Sequence, residues 1–207
     1  MIALSTEQGF PHWLAWGTIK RGWALAAQGQ VEEGISQMRQ GLAAWQAMGI
    51  ELTRPYFLAL LAEAYGRRGQ VEEGLTVLAE ALIMVDKTGE RMFEAELYRL
   101  AGELTLAQAN QKAKMESRKS EISNTQYPTP NTQEAEECFL KAIDIARHQQ
   151  AKMWELRATM SLARLWQQQG KHHEAHQMLS DLYGWFTEGF DTKDLQEAKA
   201  LIEELGH

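Results

Sequence analysis

Gly29-Gln30-Val31-Glu32-Glu33-Gly34 returns, residue for residue, as Gly69-Gln70-Val71-Glu72-Glu73-Gly74, 40 positions further along the chain. An identical hexapeptide at a fixed offset marks a repeat architecture, in which each unit buries its apolar face only against its neighbours. Two weaker copies follow, Pro130-Asn131-Thr132-Gln133-Glu134-Ala135 and Gly170-Lys171-His172-His173-Glu174-Ala175. The small residue ending each copy stands at 34, 74, 135 and 175, so the gaps are 40, 61 and 40 and one unit carries 21 additional residues. Composition places them at 110–130, where Lys112, Lys114, Arg118 and Lys119 alternate with serines and asparagines and Pro128 and Pro130 end any helix. That stretch is expected to be an exposed loop insertion.

With the insertion set aside, other positions fall into register. Twelve residues before each marker come Gly22, Ala62, Gly102 and Ala163, all small; four after come Met38, Leu78, Phe139 and Leu179, all large and apolar. Seven after come Gly41, Ala81, Ala142 and Leu182, three small and one exception. Small residues at fixed points let two helices approach closely, and a large one fills the space between pairs. Each unit therefore reads as helix A, a short turn at Gly-Gln, and helix B.

In the second unit Thr53 is expected to cap a helix A with Pro55 in its first turn, followed by Phe57, Leu58, Leu61, Ala62 and Tyr65 at helical spacing. Its helix B spans about 71–87, with Leu75, Leu78, Leu82 and Val85 on one face and Gly89 past the end. After the last unit, Asp191 is expected to cap a closing helix whose Leu195, Ala198, Leu201 and Ile202 face one way. The expected fold class is all-α, a right-handed α-solenoid of antiparallel helix pairs. It is one helical-repeat domain over 1–207, with units at about 15–54, 55–94, 95–155 and 156–195 and a capping helix at about 192–205.

Composition narrows the function. With 44% hydrophobic and 24% charged residues, the 207-residue chain is ordinary for a globular protein. Its 21 basic against 28 acidic side chains give a net charge of −7, the wrong sign for affinity built on phosphate neutralisation, so nucleic acid is not expected as the main ligand. No apolar run approaches the roughly 18 residues of a membrane span, and the first ten residues lack the pattern of a leader, so a cytoplasmic location with no membrane partner is expected. The lone Cys138 excludes an intrachain disulfide or a thiolate metal cluster.

The pattern of small and aromatic positions resembles the tetratricopeptide repeat. Ala62 and Tyr65 fit the small-x-x-Tyr part of its helix A, Ala135, Phe139 and Ala142 fit the Ala, Phe, Ala part of its helix B, and the usual proline near the repeat end is absent. A period of 40 rather than 34 resembles the longer-helix repeats of large bacterial signalling ATPases. More specifically, the stretches Phe10-Pro11-His12-Trp13-Leu14-Ala15-Trp16-Gly17, Arg54-Pro55-Tyr56-Phe57-Leu58-Ala59-Leu60-Leu61-Ala62-Glu63, Glu94-Ala95-Glu96-Leu97-Tyr98-Arg99-Leu100-Ala101-Gly102-Glu103-Leu104 and Leu182-Tyr183-Gly184-Trp185-Phe186-Thr187-Glu188-Gly189-Phe190-Asp191 are similar to the C-terminal repeat region of bacterial proteins that join an adenylate cyclase or other sensor domain to an ATPase module.

That resemblance implies a non-catalytic protein–protein interaction or sensing module, with no cofactor and a protein or peptide partner. The phosphate-binding Gly-x-x-x-x-Gly-Lys-Ser/Thr motif does not occur. Met1-Ile2-Ala3-Leu4-Ser5 resembles the tail of an earlier helix B, so the chain reads as a split or truncated member or as part of a longer product. Self-association through an apolar N-terminal end follows as an expectation.

By the geometry of that family, the second, fifth and ninth positions of each helix A line a concave groove. In this chain these are Trp16, Ile19 and Trp23; Tyr56, Ala59 and Glu63; Glu96, Arg99 and Glu103; and Arg157, Met160 and Arg164. An aromatic end grading into a charged end suits a peptide groove, with aromatic and arginine anchors. The opposing reading packs Trp16 and Trp23 against a preceding repeat. The alternative function is a metal-dependent enzyme or metal-binding protein using His172, His173 and His176. His172 and His176 stand i, i+4, although His173-Glu174-Ala175-His176 is one residue short of the zincin motif. Cys138 reads as a packed side chain, and the pairs Glu32-Glu33 and Glu72-Glu73 as acidic first turns complementing a helix dipole.

Overall fold

The structure, a computed structural model, describes residues 1–120 and 132–206, with side chains outside 116–120. Among the described residues there are ten helices and no strand. The helices group into two compact units, Met1–Phe93 and Glu94–His207.

Unit 1 holds α1 (Ile2–Glu7), α2 (Pro11–Ala27), α3 (Val31–Ala47), α4 (Arg54–Arg68) and α5 (Val71–Thr88). Helices α2 and α4 are the A helices and α3 and α5 the B helices; α2 packs on α3, α3 on α4 and α4 on α5, and α1 leans on α2. Unit 2 holds α6 (Glu94–Ser120), α7 (Gln133–His148), α8 (Lys152–Gln168), α9 (His172–Tyr183) and α10 (Lys193–Leu205). There α6 packs on α7, α7 on α8, α8 on α9, and α10 closes against α8 and α9. The architecture is thus all-helical, built from the stacked helix pairs of the α-solenoid class.

The repeat markers carry the packing. A Cβ on Gly22 would come within 2.6 Å of the Gly34 carbonyl oxygen, and one on Gly34 within 2.5 Å of the Gly22 oxygen, so α2 and α3 touch backbone to backbone. In unit 2 a Cβ on Gly102 would meet the Phe139 ring at 2.5 Å. The large marker residues Met38, Leu78, Phe139 and Leu179 are all buried, as are Trp45 and Phe57. Each such side chain contributes about 2–3 kcal/mol relative to exposure.

Three local expectations change. The insertion expected as a loop over 110–130 begins later, because α6 runs unbroken to Ser120. The stretch 111–119 is rich in Lys, Ala, Met, Glu and Arg, strong helix formers, and holds no glycine or proline, so its polar composition is compatible with a helix. The remainder of that expected loop, 121–130, lies outside the described residues. Thr53 occupies the position before α4 but makes no side-chain cap. It sits at φ 66°, and its N–H donates to both carboxylate oxygens of Glu90 at 2.9 and 3.0 Å. The residue preceding α10 is Thr192 rather than Asp191; the Asp191 carbonyl instead accepts the Gln196 side-chain amide at 3.2 Å.

A second glycine series marks the turns between pairs. Gly9, Gly49 and Gly89 stand 40 residues apart with φ of 68°, 70° and 73°. At the corresponding turn of unit 2 the left-handed residue is Gln150, at φ 55°.

Candidate functional site

The A helices of each unit present a polar and aromatic face, and the two faces are built differently. In unit 1, Trp16 is half-buried and packs on Trp45 and edge-on to Phe57, with centroids 5.9 and 5.1 Å away. It therefore bridges its own pair, through Trp45 of α3, to the pair that follows, through Phe57 of α4. One turn on, the Lys20 ammonium donates to the Tyr56 hydroxyl and lies over the rings of Tyr56 and Trp23, 4.6 and 5.7 Å from their centroids. The Trp23 indole N–H donates to Glu63 at 3.0 Å, and Arg67 binds the other oxygen of Glu63 at 2.9 Å. Tyr56 stacks on Phe93 at 4.3 Å. Trp16, Trp23, Tyr56 and Glu63 thus share one α2–α4 face and are all half-buried, while Lys20 and Phe93 belong to it without having been expected. The helical spacing of Lys20, four after Trp16 and three before Trp23, was the signal for the lysine.

In unit 2 the A-helix face is a charge network. Arg99 of α6 is 6% exposed and donates through Nε and Nη2 to both oxygens of Glu96, at 2.7 and 2.8 Å, and through Nη1 to Glu103. From α8, Arg157 binds Glu96 at 3.0 Å and Ser161 donates to Glu103 at 2.9 Å. Arg157 also lies over the Trp154 ring, and Arg164 reaches Glu197 of α10 at 3.6 Å. Bidentate guanidinium–carboxylate bonds of this kind are strong and directional, and here they are made within the protein.

The three apolar groove positions expected besides the aromatic ones, Ile19, Ala59 and Met160, are buried within their own units. Ile19 is fully buried because Gly41, lacking a side chain, lets it enter the α2–α3 contact. Ala59 is buried in α4, which is apolar almost all the way round. Met160 packs into the cluster formed with α9 and α10.

The other candidates resolve simply. His172 and His173 are exposed and His176 half-buried, on the first turns of α9. Among the described residues no group of three or more His, Cys, Asp or Glu side chains is placed to hold a metal ion. Burial, reinforced by Glu134 and Glu137, pushes the Cys138 thiol up, away from a reactive thiolate. Glu32-Glu33 and Glu72-Glu73 lie exposed in the first turns of α3 and α5, where the helix dipole favours them. Among the described residues no helix is long and apolar enough to cross a membrane.

The sequence profile of the tetratricopeptide repeat family matches residues 15–40, 55–80 and 156–180, together less than half of the chain, and passes over the α6–α7 pair. Among solved structures, the nearly identical TPR-like repeats of a Podosopora anserina kinesin light chain protein are similar with a TM-score of 0.62 at 20% identity, over 94% of this chain and 86% of that one. A single-substitution variant of the same repeats gives 0.61 at 19%, over 95% and 94%. The apo form of RapI gives 0.56 at 14%, over 94% of this chain but 48% of RapI. At these identities the likeness is one of fold. No curated protein matches the chain. The three matched stretches fall on the α2–α3, α4–α5 and α8–α9 pairs.

Proposed function

We propose that the chain is a non-catalytic protein-binding module that takes a peptide segment of its partner on the α2–α4 face. The observation that supports this is the half-buried row of Trp16, Trp23 and Tyr56, tied down by Lys20 and Glu63. Rigid aromatic side chains with a polar edge give large contact area at low entropic cost and are the usual interface anchors. The charged residues Glu96, Arg99, Glu103, Arg157 and Arg164 are the proposed contribution of unit 2, weaker because their hydrogen bonds are already made. The resemblance to the C-terminal region of bacterial cyclase- and ATPase-linked proteins would set this binding within a signalling assembly, and it rests on the four quoted stretches.

Selection of a random peptide display library on the purified chain tests the reading. Trp23→Ala and Tyr56→Ala are expected to weaken the selected peptides at least about tenfold, the size of an interface hot spot, with helical content unchanged. Ile83→Ala, on the exposed side of α5, is expected to have no effect. Selected peptides that bind both aromatic variants as tightly as the parent would overturn the proposal.

A further inference from the structure

In unit 2, away from the A-helix face, the end of α7 and the start of α8 border a cleft of about 330 Å³. Arg147, Lys152 and Glu155 line it from these two helices, Met178, Asp181 and Leu182 from α9, and Trp185 from just beyond. The Glu155 side chain is 4% exposed, and both its oxygens are taken, one by Arg147 Nε at 2.8 Å and the other by Lys152 Nζ at 2.7 Å. Burial alone would push this carboxyl up, but the hydrogen bonds and charges of Arg147 and Lys152 outweigh it and hold the group below the usual carboxylate range. Glu155 therefore acts as an ionised post that fixes two cations at the cleft.

Both cations keep donors to spare. Arg147 uses Nε, leaving the terminal nitrogens of a guanidinium whose side chain is 58% exposed. Lys152 has three N–H donors and commits one to Glu155 while lying over the Trp185 ring, 5.6 Å from its centroid. Two cations against one buried carboxylate leave one positive charge over. Asp181, oriented by the Gln177 amide at 2.8 Å, brings one negative charge to the same cleft. Met178 and Leu182 supply an apolar floor, and Trp185, 59% exposed, an open aromatic wall.

We propose that this cleft binds a free apolar α-amino acid as its zwitterion, with the carboxylate on Arg147 and Lys152, the ammonium on Asp181 and the side chain against Met178, Leu182 and Trp185. A simple anion would leave Asp181 facing like charge, and a simple cation would meet the surplus positive charge of Arg147 and Lys152. The volume is at the small end of ligand-sized pockets, roughly 300–1,000 Å³, which suits one amino acid rather than a peptide.

Calorimetric titration of the whole chain with L-phenylalanine and L-leucine, alongside N-acetyl-L-phenylalanine and L-phenylalanine amide, tests this directly. Both free amino acids are expected to bind, and each blocked compound to bind at least about tenfold more weakly, because it leaves a charged group of the site without its partner. Asp181→Asn should abolish the preference for phenylalanine over its acetylated form, and Trp185→Ala should lower affinity severalfold with an unchanged melting temperature, since both side chains are exposed. No binding of either free amino acid, or equal binding of the acetylated compound, would overturn the proposal, and neither result depends on a variant folding.

Discussion

Units 1 and 2 follow one 40-residue plan and finish their A-helix faces in opposite ways. In unit 1 the α2–α4 face is aromatic, with single polar links, Lys20 to Tyr56 and Trp23 to Glu63, between half-buried rings. In unit 2 the α6–α8 face is ionic, and Arg99 is both its hub and one of its most buried side chains. The difference teaches that an arginine placed at a groove position by counting need not be a binding residue. A guanidinium whose donors are satisfied by Glu96 and Glu103 has little left for a partner, whereas a ring held at its edge still offers a face.

The sharpest way to break this contrast is Arg99→Ala. Removing the hub leaves Glu96 buried with only Arg157 against it, and loss of one partner from a buried pair costs about 3–5 kcal/mol. Urea denaturation should show that loss in full. If Arg99→Ala instead leaves stability within about 0.5 kcal/mol of the parent, the range of ordinary surface changes, Arg99 is a free surface residue and the two faces are alike.

The next effect compares the two ways in which the pairs close. Gly22→Ala drives a methyl group into the backbone of α3, and Gly102→Ala drives one into the Phe139 ring. Overpacking costs about 1–3 kcal/mol, and backbone yields less readily than a side chain, so Gly22→Ala should lie at the top of that range and above Gly102→Ala in thermal melts. The reverse order would show that the ring is the more rigid neighbour.

Acid reaches unit 2 through the buried carboxyl of Glu155, whereas the carboxyl lowered in unit 1, Glu51 beside Lys87, is exposed. The Glu155 carboxyl titrates below the ordinary range in the folded protein, so the unfolded chain takes up that proton first as the pH falls. The stability it contributes is present above the ordinary carboxylate value of about 4.3 and is lost as the pH drops through the lower folded value. Glu155→Gln should flatten the acid limb of the stability profile, and an unchanged limb would remove Glu155 from the account.

Most of the helix pairing was legible in the sequence, because close approach demands small residues and the markers 34, 74, 135 and 175 repeat that demand. The extent of α6 was not. Scarcity of apolar residues in 111–119, where only Ala113 and Met115 occur, argues against a buried face, which is different from arguing against a helix. The groove positions were half legible: Trp16, Trp23, Tyr56 and Glu63 share a face, whereas Ile19 and Met160 are drawn into contacts with α3 and with α9 and α10 that counting along a single helix cannot foresee. Glu155 and its cations carry no local motif, since Arg147, Lys152 and Trp185 are brought to one cleft by the packing of α7, α8 and α9.

The smallest effect concerns the turns between pairs. Unit 1 uses Gly9, Gly49 and Gly89 at nearly the same left-handed φ, whereas Gln150 fills that role in unit 2 at φ 55°. An L-residue with a side chain costs roughly 1–2 kcal/mol in that conformation, while glycine gives back part of the gain through its larger loss of chain entropy, about 0.5–1 kcal/mol. Gln150 is exposed, so its replacement removes no packing. Gln150→Gly should therefore stabilise the protein by about 0.5–1 kcal/mol, read as a rise in the urea midpoint at constant m. The opposite substitution in unit 1, Gly49→Gln, should cost a similar amount at a turn of the same φ. If both changes destabilise, the Gln150 side chain has a role in unit 2 that glycine cannot supply, and the turns differ in function as well as in sequence.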